Sequence, residues 1–211
     1  MTPAEKLDAG LADMGLDLGA ETRQRLIAYL HLLGRWNRTY NLTSVRAELA
    51  MVSAHLLDAL AVLPYLGSAG SLADIGSGAG LPGIPLALAR PDMAVKLVES
   101  KQKKASFLTQ AKIDLGLSNV SIHCARAEEL AGSTAWAPVE LAVSRAFAEL
   151  SAFVQVAGGL LAPGGRLLAM KGVHPGAEIE ALPAGWAVRQ CLPLVVPGLA
   201  AQRHLVIIEK V

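Results

Sequence analysis

Along the first third of the chain, apolar residues recur at helical spacing: Leu7, Leu11 and Met14 fall at i, i+4, i+7, and Leu26, Leu30 and Leu33 repeat the pattern. Two amphipathic helices follow. Thr2-Pro3-Ala4-Glu5 reads as a capping box, with Thr2 accepting from the first-turn amides, Pro3 in the first helical position and Glu5 reaching back. Residues 37–44 (NRTYNLTS) are polar and turn-like, and the apolar segment from Leu49 to Leu66 predicts a third helix ending near Pro64 and Gly67. Residues 1–66 are therefore expected to form a helical cap, and 67–211 a second unit.

From Ser71 onward the period changes. Short apolar runs at 71–75, 94–99, 119–124, 139–144 and 165–171 alternate with helical stretches, the signature of a mostly parallel α/β sheet. Near the end, 186–196 and 203–210 predict a closing antiparallel hairpin. The expected architecture is a Rossmann-like α/β sheet, mostly parallel with an antiparallel closing strand, carrying an N-terminal helical cap.

Composition sharpens this picture in four places. A hydrophobic share of 53% suits a parallel sheet buried on both faces. No uninterrupted apolar stretch reaches the roughly 18 residues that span a bilayer, and the N-terminus lacks the apolar core of a secretory signal, so a cytoplasmic location without membrane contact is expected. Cys124 and Cys191 are too few for a disulfide framework and lack metal-ligand spacing, which predicts two small buried hydrophobes and no metal site. A net charge of +1 means that any nucleic-acid partner must be met by a local basic patch.

The chemistry concentrates after the first strand. Gly76-Ser77-Gly78-Ala79-Gly80-Leu81-Pro82-Gly83 places a glycine-rich turn between a strand and a helix, where backbone amides can approach a ligand without Cβ obstruction. Glu99 closes the second strand 23 residues beyond Gly76, near the roughly 20 expected for an acid that grips a ribose diol. Residues 78–83 formally satisfy G-x-G-x-x-G, which keeps a nicotinamide or flavin cofactor open. In the register that starts directly after the strand, however, Leu81 stands where a dinucleotide fingerprint wants Gly or Ala. Asp74, two residues before the loop, suits a cofactor with a cationic amino-acid end better than a pyrophosphate, which it would repel. Those features favour S-adenosylmethionine over an oxidoreductase's cofactor; a non-catalytic RNA-binding module is the third class left open.

The motifs DIGSGAGLPGIPLA and HLLDAL, with ARAEEL and SRAFAEL downstream, resemble the bacterial 16S rRNA guanine-N7 methyltransferases, the glucose-inhibited division protein B family. The resemblance runs from RWNRTYNLTSV (35–45) to RHLVIIEK (203–210). It implies a class I methyltransferase fold and methyl transfer from S-adenosylmethionine to N7 of one guanine in the 530 loop of 16S rRNA, as free rRNA or in the small ribosomal subunit; a monomer is expected. It also implies cofactor contacts at Gly76, Leu81, Ala127, Glu128 and Arg145, to which Asp74, Gly78 and Glu99 are added on physical grounds.

Guanine N7 carries an in-plane lone pair and no proton, so its methylation needs alignment more than a general base. No catalytic residue is obligatory; Arg126 and Arg145, following strand ends, are the candidates for holding guanine O6 or a phosphate, against surface ion pairs with Glu128 or Glu129. Lys101, Lys103 and Lys104, continued by Lys112, form an acid-free run assigned with Arg126 and Lys171 to RNA, against a solvated helix face. Lys171 has a second reading as a solvated strand-end charge. His55 and Asp58, at i, i+3, are read first as a hydrogen-bonded pair supporting the cap and second as substrate contacts. Trp36 and Tyr40 are expected in the core more than stacked on a base.

Overall fold

The computed structural model describes residues 1–145, 147 and 149–211; Ala146 and Ala148 of the SRAFAEL motif lie outside the described residues. The capping box forms: the Thr2 hydroxyl accepts from Glu5 N–H at 3.2 Å and Thr2 N–H donates to Glu5 Oε2 at 2.8 Å, opening α1 (Pro3–Asp13). Helix α2 (Ala20–Tyr40) runs through the polar NRTY segment, in which Arg38, Thr39 and Tyr40 are exposed while Asn37 is buried and bonded to the following loop, and stops where Asn41 turns left-handed at φ 49°. The third predicted helix is broken into pieces. α3 (Glu48–Met51) leads into a π-helical turn, Val52–Leu57, then α4 (Asp58–Leu60) and a 3-10 turn at Leu63–Tyr65. Glu48–Tyr65 is long and apolar enough to cross a membrane by length and composition, yet most of it is buried in this fold.

Seven strands follow in one sheet, ordered β3-β2-β1-β4-β5-β7-β6. They are β1 (Ser71–Ile75), β2 (Ala94–Val98), β3 (Val120–His123), β4 (Val139–Ser144), β5 (Leu161–Lys171), β6 (Trp186–Pro193) and β7 (His204–Lys210). The first five pair in parallel and β7 is antiparallel to both β5 and β6, which is the expected closing hairpin. β5 begins four residues before the predicted run and β6 ends three before its predicted limit; Pro163 and the glycines at 164 and 165 hid the start of β5. Between the strands lie α5 (Gly83–Ala89), α6 (Gln102–Asp114), α7 (Ala127–Leu130), α8 (Leu150–Ala157) and α9 (Gly176–Glu180).

Alternate strand residues feed two cores. Leu72, Leu168, Met170, Leu205 and Ile207 pack on one face with Leu26, Leu30, Leu33, Leu57 and Leu60 of the N-terminal helices and with α5 and α6. Ala73, Ile75, Leu167, Ala169, Val206 and Ile208 pack on the other with Leu150, Phe153, Val154 and Ala157 of α8. The N-terminal helices thus share a continuous core with the sheet, and they stand over the edge where β1, β4 and β5 end.

Candidate active site

β1 carries Asp74 to the C-terminal edge of the sheet, where the chain turns into α5. Gly76 and Gly78 take φ values of 71° and 58°, a region that glycine enters without a Cβ penalty. A Cβ at Gly76 would meet nothing within 4 Å, and one at Gly78 would find only the Gly76 carbonyl oxygen at 3.7 Å and Lys104 Nζ at 3.8 Å. The space above both residues is an open cradle.

Asp74 stands behind that cradle, wholly buried. Its Oδ2 accepts from Gly83 N–H at 2.9 Å, while Oδ1 has no partner among the described residues. Burial pushes its pKa up to about 7, against the pull of the Gly83 N–H and the Arg145 charge. A buried carboxylate oxygen without a donor is costly, and a cation entering the cradle would satisfy it. Glu99, 6% exposed, is tied to the same loop: Oε2 accepts from Gly78 N–H at 2.9 Å and Oε1 from Lys101 N–H at 2.8 Å. Each oxygen keeps a lone pair for a ligand hydroxyl. Buried Ala127 and exposed Glu128 open α7 directly after β3, with exposed Arg126 in the N-cap position. The ends of β1, β2 and β3 therefore bring Asp74, Gly76, Gly78, Glu99, Ala127 and Glu128 to one edge, with buried Leu81 at the far end of the loop.

Sequence reasoning missed Tyr29. It sits on α2, fully buried, and its hydroxyl donates to the Ala79 carbonyl at 2.6 Å, which fastens the N-terminal helices to the glycine loop. The available signal was a tyrosine inside a leucine stripe, since a buried phenol needs a hydrogen-bond partner.

Arg145 follows β4, but its partner is neither Glu128 nor Glu129. Its Nη1 donates to the Ala54 carbonyl at 3.0 Å and to Asp58 Oδ2 at 3.2 Å. The other oxygen of Asp58 accepts from Arg203 Nε at 2.8 Å, so one wholly buried carboxylate holds two arginines. His55 is not bonded to Asp58 as expected. Its Nδ1 faces the Ala54 carbonyl at 2.8 Å and must donate, which leaves Nε2 to accept from the Thr43 hydroxyl at 2.9 Å. Burial, with the Arg145 charge, pushes its pKa down to about 4, so the ring is neutral at pH 7. The π-helical turn explains the change: it shifts the phase of the helix, so i, i+3 spacing no longer predicts partners.

Lys171 is no solvated strand-end charge. Only 12% of its side chain is exposed, and Nζ donates to Glu178 Oε2 at 2.8 Å. Thr43, His55, Asp58, Arg145, Lys171 and Arg203 line a cleft of about 390 Å³ beside the cradle. Of the lysine run, Lys101 and Lys103 are exposed, Lys104 and Lys112 are half-buried, and Lys104 leans over Gly78. Two other expectations fail. Cys124 is exposed, because β3 ends one residue before it, and Cys191 is half-buried on β6. Trp36 packs partly into the core, against Phe107, while Tyr40, stacked on it at 5.0 Å, is 45% exposed.

The model of the GidB family, rRNA small subunit methyltransferase G, matches residues 22–206. The chain belongs to this family. A ribosomal RNA small subunit methyltransferase G from Azoarcus sp. (strain BH72) is 53% identical over 211 residues, covering 100% of this chain and 98% of the relative. One from Neisseria meningitidis serogroup C (strain 053442) is 47% identical, with full coverage of both chains. Among solved structures, the O-methyltransferase from Bacillus cereus in complex with SAH aligns at TM-score 0.62 and 15% identity over 87% of this chain and 91% of that one. The O-methyltransferase TomG from Streptomyces achromogenes, in complex with SAM, aligns at TM-score 0.61 and 15% identity over 100% and 99%. These likenesses establish the Rossmann-like methyltransferase fold.

Proposed function

We propose that the protein transfers a methyl group from S-adenosylmethionine to N7 of one guanine in the 530 loop of 16S rRNA, acting as a cytoplasmic monomer that needs no metal. The observation that carries the reading is the cradle: an orphaned buried carboxylate at Asp74, open space over Gly76 and Gly78, and a pinned acid at Glu99. When bound, the cofactor supplies an electrophilic methyl on a cationic sulfur. In this reading Asp74 takes the cofactor's ammonium, Glu99 its ribose diol, and Ala127 and Glu128 border its base. Arg145, anchored by Asp58, spans from the cofactor edge to the cleft that receives the guanine. Arg126, Lys101 and Lys103 meet RNA phosphates outside it.

The residues have little covalent work to do. The N7 lone pair forms the new bond as the carbon–sulfur bond breaks, and the positive charge passes from sulfur to the purine without any proton moving. Positioning supplies the acceleration. A dinucleotide would bring its pyrophosphate to the loop beside Asp74, which the same geometry disfavours. Calorimetry with S-adenosylhomocysteine and NAD, paired with labelled methyl transfer to small-subunit rRNA, tests the reading. It expects binding of the first ligand alone and incorporation of label; NAD binding, or no incorporation, would sink it.

A further inference from the structure

Beside the cleft, on the outer side of the N-terminal helices, lies a second groove of about 580 Å³ that the lysine run does not reach. Its lining includes Arg35 and Arg38 of α2, Arg46 of the following loop, and His31. All four side chains are exposed. Among the described residues none of the three arginines forms an ion pair, although the chain has 18 acids; Arg46 donates only to Asn41 Oδ1, at 3.1 Å. Glu48 is the one acid among the described lining residues, so three guanidiniums share the groove with a single carboxylate. Three guanidiniums in one concavity, none drawn off into an ion pair among the described residues, offer an external anion a converging set of donors.

The groove and the cleft share a wall. Thr43, Ser44 and Val45 line the cleft, and Arg46, next in the chain, lines the groove. That loop is held rigidly: the Asn37 side chain accepts from Thr43 N–H at 2.9 Å and donates to the Val45 carbonyl at 3.4 Å, and Thr43 is latched to His55. A strand whose base enters the cleft has its neighbouring nucleotides at this wall. We propose that Arg35, Arg38 and Arg46 form a docking groove for the phosphodiester backbone of the RNA flanking the methylated base, an inference that rests on the rRNA methyltransferase reading above. Guanidinium forks match phosphate oxygens two at a time, and Arg35 and Arg38, at i, i+3 on α2, are roughly 5–6 Å apart at Cβ, close to the step between neighbouring phosphates of a strand. With the chain nearly neutral overall, such a local patch must supply the electrostatic grip.

The test is a salt titration of RNA binding by anisotropy, using an rRNA fragment that the wild-type protein methylates. The R35A/R38A double variant is expected to lower the slope of log affinity against log salt by about 1.4, and R46A by about 0.7, at roughly 0.7 per single-strand phosphate contact. KM for RNA should rise several-fold in both, while R35K/R38K recovers the slope because it keeps the charges. S-adenosylhomocysteine affinity, read by calorimetry on the same samples, is expected to stay within twofold. An unchanged slope in a methylating wild-type background would overturn the groove alone. Weaker binding to whole subunits with an unchanged slope on free RNA would also overturn it, in favour of an acidic protein partner. A wild-type protein that neither binds nor methylates the fragment would remove the methyltransferase reading and the groove together.

Discussion

Asp58 and Arg145, 87 positions apart in the chain, meet through a 3.2 Å hydrogen-bonded ion pair whose acidic member has no exposure at all. Arg203 binds the other carboxylate oxygen from 145 positions away. One buried charge thus joins the start of α4, directly after the π-helical turn, to the end of β4 and to the approach to β7. Its removal leaves two cations facing each other across a cleft.

Asp58→Ala is therefore expected to lower stability by about 3 kcal/mol, the lower end for breaking a buried pair, because both arginines are a quarter exposed. Asp58→Asn should cost less stability yet still lower kcat, since Arg145 loses its charged anchor. Urea denaturation and single-turnover kinetics separate the two effects; an Asn variant with wild-type kcat would show that the pair only holds the fold.

Asp74 is expected to make cofactor binding depend on pH. Its folded pKa of about 7 lies above the ordinary 3.8, so its contribution to stability is fully present below about pH 4 and is lost as pH rises through about 7. Binding a cation runs the other way, because only the ionised carboxylate attracts it. Affinity for S-adenosylhomocysteine should fall as pH drops from 7.5 to 5.5, by as much as tenfold per unit once Asp74 is protonated. Asp74→Asn should bind more weakly and show no such slope; a parallel slope in that variant would remove Asp74 from the site.

Glu99→Ala should weaken cofactor binding by roughly 1.5–3 kcal/mol, the scale of hydrogen bonds to a charged group. The loss has two parts, the ribose contacts and the release of Gly78 N–H. A ribose-dideoxy analogue isolates the first: the wild type should bind it more weakly than the parent, and Glu99→Ala should not distinguish them.

Cys124→Ser and Cys191→Ser should both remain active. Attack by N7 needs no enzyme nucleophile, and burial pushes the Cys191 thiol pKa up, away from the reactive thiolate. Inactivation of a folded Cys124→Ser protein would demand a covalent mechanism.

The sheet was legible because its strands are continuous apolar runs, and β1 and β4 match their predicted bounds residue for residue. The glycine turn and the acid at the next strand end were legible because both are local in sequence. What escaped was long-range or a matter of helical phase. Nothing local signals that Asp58 pairs with Arg203, that Tyr29 reaches Ala79, or that a π-turn rotates His55 toward Thr43. Arg38 and Tyr40 were hidden in a polar segment that reads equally as a loop or as the outer face of a helix, and α2 proves to be the second.

The decisive measurement maps where tritiated methyl lands after the protein is incubated with labelled S-adenosylmethionine and small-subunit rRNA from cells lacking the enzyme. A single labelled guanine in the 530 loop, methylated at N7, is expected. Label on another base or another ring position, or none at all with active cofactor-bound protein, would contradict it.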